Sequence, residues 1–389
     1  MNRRFFIVVV LLLLAKWVAL SGCGSSETIH STAPTPAENK PAAEPTSPVS
    51  LPTDDGYAAA IFFGADTLGS LDDCGCPQRP EGGLPWRMGY ANAFAKQSAD
   101  VPILHVDAGN FFSDFHTEDG KLFAVAETKN KWLFKGYQKA DFAAVNLTPY
   151  DLYYAERLFD RVAYQKEKAN SPLVTRMISA NVRAARPTHL SPPAYLIREI
   201  NSARLPEGKS LRVGFVGLTS RLENEQGVPK SVPATFQVTD PMVAARRVIP
   251  RVRPECDVLV VLAYMLPEKA EQLAKQVSGI DLLIVAHALP EERQPTRVNQ
   301  TTIAYARHQT RSLGEALLYV DSTGRLKDIK TRMIVLDKKI PPDSETAALL
   351  SQAKAEILEE ERKLFEELQR QAHPQHLQPL PLGPAQEIR

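Results

Sequence analysis

Residues 56–340 predict a large α/β domain whose sheets are covered on both faces. Three features carry this. Val258–Leu262 and Leu282–Ala286 are apolar at every position, which suits strands with no face open to water. Helix-like stretches separate such runs along most of the chain. Two pairs of apolar runs flank the turn residues Pro206-Glu207-Gly208 and Ser322-Thr323-Gly324, so antiparallel hairpins join the parallel strands.

The chain opens with Arg3 and Arg4 and an apolar run, Phe5–Ala15, interrupted by Lys16. The run is short for a stable membrane span and reads as part of a secretory signal over residues 1–22. Leu20-Ser21-Gly22-Cys23 follows directly and resembles a bacterial lipobox. That resemblance implies lipidation of Cys23 and a membrane anchor. Gly24, second in the mature chain, points to the outer membrane of a two-membrane cell, at its periplasmic face or surface. Residues 23–55 are rich in Pro, Ser, Thr, Ala and Glu and carry too little apolar surface to fold, so they read as a disordered tether.

Tyr57–Phe63 is the first expected strand, and Trp86–Ala99 a helix with Met88, Tyr90, Ala91 and Phe94 as its larger apolar residues. A strand over Val101–Val106 ends in Asp107-Ala108-Gly109-Asn110. Phe123–Gly136 is expected to be helical. Asp141–Val145 is a strand, followed by Asn146-Leu147-Thr148-Pro149-Tyr150-Asp151. Leu152–Ala163 reads as one helix and Ile178–Val182 as one short strand. Tyr195–Ile200 and Leu211–Leu218 pair across the first turn. Met242–Val252 and Pro267–Val277 are helices beside the two apolar strands. Ile303–Ala306, Ala316–Val320 and Arg332–Leu336 complete the sheets. Pro341-Pro342 stops the last strand and opens the C-terminal segment 341–372, in which Asp343 or Ser344 caps a helix that runs to about Ala372. Leu350, Ile357 and Leu364 recur at heptad spacing, but Glu361 sits in the seam, so this helix is expected to lie on the body. Residues 373–389, rich in Pro, Gln and Leu, read as a disordered tail.

Composition excludes some functions. With 46 Lys and Arg against 45 Asp and Glu, the net charge is +1, and no basic excess suits a nucleic-acid polymer. There is no Gly-x-Ser-x-Gly elbow and no phosphate-binding glycine loop. The stretch Phe62–Arg87 is the most informative. It leaves the first strand at Gly64 and carries Asp66, Asp72, Asp73, Cys74 and Cys76 before Gly82-Gly83 starts a helix. A loop just beyond a strand end is where open α/β sheets bind ligands.

Several phrases, in order, resemble the calcineurin-like metallophosphoesterases, in their exported 5′-nucleotidase branch. They are Gly82-Gly83-Leu84 with Arg87, Leu104-His105-Val106-Asp107-Ala108-Gly109-Asn110, Ser179-Ala180-Asn181-Val182 and Val213–Thr219. Gly279-Ile280-Asp281, Ala286-His287 and Ser312-Leu313-Gly314 follow. The resemblance covers roughly residues 57–340. It implies a layered sandwich of two mixed β-sheets flanked by helices, plus the C-terminal helix.

The family's chemistry needs two metal ions sharing a bridging Asp, with further Asp, His and Asn ligands from strand ends. Carried over position by position, Asp66 and His287 are retained. Leu68 replaces the His of Asp-x-His, Asn110 replaces the bridging Asp, and Asn146-Leu147-Thr148-Pro149 replaces Gly-Asn-His-Glu. Ala263-Tyr264 replaces a Ser-His, and Leu289 a second His. A neutral amide bridges two cations poorly and leucine offers no lone pair, so a conventional dinuclear site is not expected. The family's large C-terminal nucleotide-gripping domain is likewise not expected here, since only the connecting helix is recognised after residue 340.

Cys74 and Cys76 supply alternative chemistry. They suit a strained, easily reduced disulfide, a soft-metal site for Cu(I) or Zn(II) helped by His287, His105, His116 or His308, or a nucleophilic thiolate. A structural disulfide, either Cys74–Cys76 or one of them with Cys256, is the plainer alternative. Asp72 and Asp73 are expected to raise the thiols by like-charge repulsion. Asp107, Asp114 and His116 form a weaker candidate site near Asn110. The leading expectation is a non-hydrolytic binding or thiol-redox accessory lipoprotein with an envelope protein partner. It would hold one divalent or soft metal ion at a remodelled site, or none. The alternatives are a hydrolase of a phosphate ester or sulfur compound with a remodelled site, and a scaffold docking through the C-terminal helix.

Overall fold

Strand β1, Ala59–Gly64, is buried along its whole length, and its alternating side chains serve two cores. Ile61 and Phe63 face the space between the two sheets, where they pack with Val106, Phe215, Val260 and Ile284. Ala60 and Phe62 face the other way, against Tyr90 and Phe94 of helix α1, Leu84–Gln97. The chain continues through β2 (Ile103–Asp107), α2 (Ala124–Lys139) and β3 (Ala144–Asn146). Short helices α3 (Leu152–Leu158), α4 (Arg161–Asn170) and α5 (Pro172–Thr175) lead to β4 (Met177–Ile178) and β5 (Val182–Ala184). The hairpin β6 (Tyr195–Ile200) and β7 (Leu211–Thr219) precedes β8 (Phe236–Val238), α6 (Pro241–Val252) and β9 (Val258–Tyr264). Helix α7 (Pro267–Gln276) and strands β10 (Leu282–Ala286), β11 (Thr296–Val298) and β12 (Thr301–Tyr305) follow. Strands β13 (Ser312–Val320) and β14 (Leu326–Val335) lead into helix α8 (Ser344–Ala372).

This computed structural model describes residues 50–221, 232–286, 293–307 and 311–372. The secretory signal, Cys23, the greater part of the tether, His287, Leu289, His308 and the tail after residue 372 lie outside the described residues. Two six-stranded mixed sheets, ordered β14-β13-β1-β2-β3-β4 and β11-β12-β10-β9-β7-β6, pack face to face with helices outside. The expected layered sandwich is therefore the observed architecture. The chain divides into two compact units, Ser47–Ile357 and a second containing residues from Leu358 onward. Within the first unit, the start of α8 packs Leu349, Leu350, Ala353 and Ile357 onto the helical side of the body. Asp343 caps this helix by accepting the Thr346 N–H at 2.8 Å.

Three local expectations need correction. Leu152–Ala163 is two helices, because the Asp160 carboxylate accepts the N–H groups of Val162 and Ala163 and starts a new one. Ile178–Val182 is divided between β4 and β5, which belong to different sheets. The last strand begins earlier, at Leu326, since its half-exposed face masks the apolar pattern.

Candidate functional site

Strands β1, β2 and β3 run parallel in one sheet, β9 lies between its parallel neighbours β7 and β10 in the other, and their carboxyl ends carry the residues that the resemblance singled out. Asp66, Leu68 and Asn110 all take left-handed backbone conformations, with φ of 53°, 56° and 58°. Each such non-glycine residue costs on the order of 1 kcal/mol, so the surrounding contacts must hold it. They do so by zipping two loops together. Asp66 N–H donates to Gly109 O at 3.0 Å, Leu68 N–H to Asn110 O at 3.3 Å, and Gly69 N–H to Phe111 O at 2.7 Å. Gly109 has φ 116°, and a Cβ there would lie 2.3 Å from Thr148 Cγ2, so glycine is required.

The interior of this cleft is closed by a hydrogen-bonded triangle. Asn110 Nδ2 donates to Asp66 Oδ1 at 2.7 Å and reaches the Tyr264 hydroxyl at 3.2 Å. The Tyr264 hydroxyl donates to the same Asp66 oxygen at 3.2 Å. All three residues are buried. Burial, followed by the Asp66 charge, pushes the Tyr264 phenol well above its usual range, so it keeps its proton and acts as a donor. Amide and phenol hydrogens thus point at Asp66 where a cation would need lone pairs. The described residues do not fit a two-metal centre, and among them no group of three or more His, Cys, Asp or Glu is placed to hold an ion. His287, the other retained ligand position, is outside the described residues.

Asp151 supports the triangle from below, and the sequence reading missed it. Its carboxylate accepts the N–H groups of Asn110, Phe111, Phe112 and Thr148 at 2.9–3.0 Å and the Thr148 hydroxyl at 2.7 Å. Burial pushes it up to about 6, against the pull of these donors. Asn146 Nδ2 ties Ala108 O at 3.0 Å to Leu218 O at 2.9 Å, joining the ends of β2 and β7. Asp107 turns inward. It accepts the Tyr137 hydroxyl at 2.6 Å and the Gly109 N–H at 2.8 Å, and burial pushes it up to about 7. Burial, then the nearby Arg87 charge, pushes His105 down to about 3, so its ring is neutral. It is a core residue, but its Nδ1 has no hydrogen-bond partner. Arg87 itself donates to Phe62 O and Val106 O at 3.1 and 3.2 Å and lies over the Phe142 ring. The expected cluster of Asp107, Asp114 and His116 does not assemble. His116 instead bridges to Leu122 and stacks edge-on against Tyr153.

A separate construction surrounds the cysteines. The loop returns on itself at Cys74 and Glu81: Cys74 N–H donates to Glu81 O at 2.8 Å, and Glu81 N–H donates to Cys74 Sγ at 3.4 Å. The Glu81 side chain is buried between Arg79 at 2.6 Å and Arg307 at 3.5 Å, which fixes the loop closure. Gly75, at φ 67°, donates its N–H to Asp73 Oδ1 at 2.7 Å. Cys76 is exposed and Cys74 partly covered. Partial burial raises the Cys74 thiol, but the N–H groups of Glu81 and Cys76, the Cys76 thiol and the Arg311 charge outweigh it and bring the thiol below its usual range. Cys76 moves the opposite way, held up by its hydrogen bond and charge interaction with Cys74. The expected rise of both thiols from Asp72 and Asp73 is thus corrected: Cys74 moves down, and Cys76 moves up through Cys74 and not through the aspartates. Asp72 is tied to Lys354 at 2.7 Å, and Asp73 serves the turn. A groove of about 200 Å³ runs beside this loop, lined by Asp72, Asp73, Gly83, Trp86, Ala347 and Leu350.

All three described cysteines are free thiols. Cys256 is buried in the core around α6 and α7, near Gly214, and burial pushes its thiol up. The suggested disulfide between Cys256 and the loop cysteines is not formed. The structure therefore brings Asp66, Asn110 and Tyr264 together, brings Cys74 and Cys76 together, and keeps the two sets in different constructions.

No protein-family model and no curated protein matches the chain. Solved structures do match its fold. The Thermus thermophilus sulfate thiohydrolase SoxB in complex with glycerol superposes with a TM-score of 0.59 at 14% identity, over 79% of this chain and 61% of that one. A 5′-nucleotidase precursor, also from Thermus thermophilus, gives 0.56 at 18% identity, over 78% and 59%. The calcineurin-like phosphoesterase YfkN of Bacillus subtilis gives 0.55 at 16% identity, over 78% and 98%. The chain thus spans about three fifths of the first two structures and nearly all of the third. The fold is that of the calcineurin-like metallophosphoesterases, as built in the 5′-nucleotidase-like structures.

Proposed function

We propose that this chain is an exported lipoprotein, anchored through Cys23, that uses a hydrolase fold for a non-hydrolytic thiol role centred on Cys74 and Cys76. One observation carries the reading: a backbone N–H is aimed at the Cys74 sulfur with an exposed thiol two residues away. A thiolate held in this way is the reactive form of cysteine. The Asp66–Asn110–Tyr264 triangle, at positions where the resemblance puts the family's metal ligands, supports this reading. Its exported partner would be a protein bearing thiols or a disulfide.

The test is a count of reactive thiols in the purified full chain after mild oxidation and again after mild reduction, beside a phosphoester turnover assay with added Mn²⁺ or Zn²⁺. Cys74 and Cys76 are expected to disappear and return together, without turnover. Metal-dependent turnover that survives Cys74→Ser would overturn the reading. The second reading, a hydrolase of a sulfur compound with a remodelled site, draws on the similarity to the sulfate thiohydrolase. Metal-independent, repeated release of sulfate from an S-sulfonated thiol that is lost with Cys74→Ser would favour it.

A further inference from the structure

The cysteine loop is asymmetric, and its asymmetry sets a direction. We propose that the oxidised Cys74–Cys76 pair accepts two electrons from a dithiol on an exported polypeptide, with Cys76 as the sulfur attacked and Cys74 as the sulfur that leaves. This rests on the thiol-redox reading above. Three observations support it. Cys76 through Arg79 form an exposed stretch, so an incoming thiolate on a folded partner meets Cys76 first. Cys74 is partly covered, and its sulfur faces the Glu81 N–H. That N–H is held in place by the reciprocal Cys74 N–H to Glu81 O bond and by the buried Glu81 carboxylate between Arg79 and Arg307.

The chemistry balances as two exchanges. A partner thiolate attacks Cys76 Sγ. The Cys74–Cys76 bond breaks, a partner–Cys76 mixed disulfide forms, and the electron pair leaves on Cys74 as thiolate. The partner's second thiolate then attacks the partner sulfur of the mixed disulfide. The Cys76 thiolate departs and takes a proton, and the partner closes its own disulfide. The partner dithiol is oxidised by two electrons and the pair is reduced by two. A thiol with a lowered pKa leaves faster, and stabilising the reduced form makes a disulfide more oxidising. The Cys74 thiol is lowered while Cys76 is raised, which agrees with the geometry. A single residue between the cysteines closes a small ring, whose opening adds to the same drive.

The experiment uses the full chain, oxidised, mixed with excess glutathione and quenched in acid, with the modified cysteine identified by peptide mass spectrometry. Glutathione is expected on Cys76 in at least tenfold excess over Cys74. Equal labelling, or labelling mainly on Cys74, would overturn the assignment. In a second arm, equal amounts of the oxidised chain and a reduced Cys-x-x-Cys peptide are brought to equilibrium. At least tenfold more oxidised than reduced peptide is expected, and a peptide that stays reduced would overturn the direction. If mild oxidation forms no Cys74–Cys76 disulfide at all, the thiol-redox reading itself fails, and the proposal fails with it.

Discussion

The cleft at the strand ends and the cysteine loop begin within ten residues of each other but are built on opposite plans. In the cleft, Asp66, Asn110, Asp151 and Tyr264 are buried and bonded to one another, so each polar group is spent on holding the fold. In the loop, the backbone does the holding and a sulfur is left at the surface. The difference teaches that what a polar side chain can do depends on which groups the fold turns towards it. The Asp66 carboxylate accepts hydrogen bonds from Asn110 and Tyr264 in the protein interior. A thiol that accepts one N–H beside solvent is still able to react.

If this contrast is right, damage to the cleft lowers stability and spares the thiols. The largest effect is expected from Asp151→Ala. It leaves four backbone N–H groups and one hydroxyl without their acceptor, in a buried site. A loss of about 3–5 kcal/mol is expected, from the cost of breaking a buried charged network. Denaturant unfolding measures it, and the alkylation rate of Cys74 in the folded fraction should stay within about twofold. Asn110→Asp comes next. It sets a second carboxylate against Asp66 and removes the donor between them, so a loss of about 2–3 kcal/mol is expected without metal. Added Mn²⁺ should restore part of that loss, raising the melting temperature of the variant and not of the parent. A matching rise in the parent would break the contrast.

Two titrations sharpen it further. Asp107 has a folded-state pKa of about 7 against an ordinary carboxyl value near 3.8. The folded state therefore binds the proton more tightly than the unfolded chain. Its stabilising contribution is full below the ordinary value and is lost as pH rises through about 7, by up to about 1.4 kcal/mol per pH unit. Asp107→Asn should flatten that slope in melting temperature between pH 4.5 and 7. In the loop, residue-resolved alkylation across pH should show Cys74 ionising before Cys76, because the Glu81 N–H favours the Cys74 thiolate while Cys74 holds the Cys76 thiol up. The reverse order would remove the loop's claim to a prepared thiolate.

The sheets were legible because their strands are apolar at every position, as in Val258–Leu262, a pattern that a surface helix does not produce. The short strands Phe236–Val238 and Thr296–Val298 were not, since three residues hold too little pattern. Asp66, Asn110 and Tyr264 were each singled out through the resemblance, and the structure brings them together. Their mutual bonding was not legible, because Tyr264 and Asp66 are 198 residues apart and only the fold brings them together. Asp151 passed as an ordinary turn residue for the same reason: its partners at Asn110–Phe112 lie about 40 positions away. The Cys74 thiol was misjudged because sequence shows the neighbouring carboxylates but not the Glu81 N–H that the loop turns towards it.

The smallest expected effect tests whether helix α8 governs the loop. Lys354 pairs with Asp72 at 2.7 Å, but both side chains are substantially exposed, at 58% and 37%. Such a pair contributes under about 1 kcal/mol once solvent screens it. Lys354→Ala should therefore leave the unfolding midpoint nearly unchanged. It also frees the Asp72 charge two residues from Cys74, which disfavours the thiolate slightly. Alkylation of Cys74 at neutral pH should slow by less than about threefold, and added salt should shrink the difference. A tenfold slowing would mean that the helix positions the loop, and that the thiol chemistry answers to whatever binds α8. A small effect places control within the loop itself, where the backbone closure between Cys74 and Glu81 and the two arginines on the Glu81 carboxylate hold the sulfur in place.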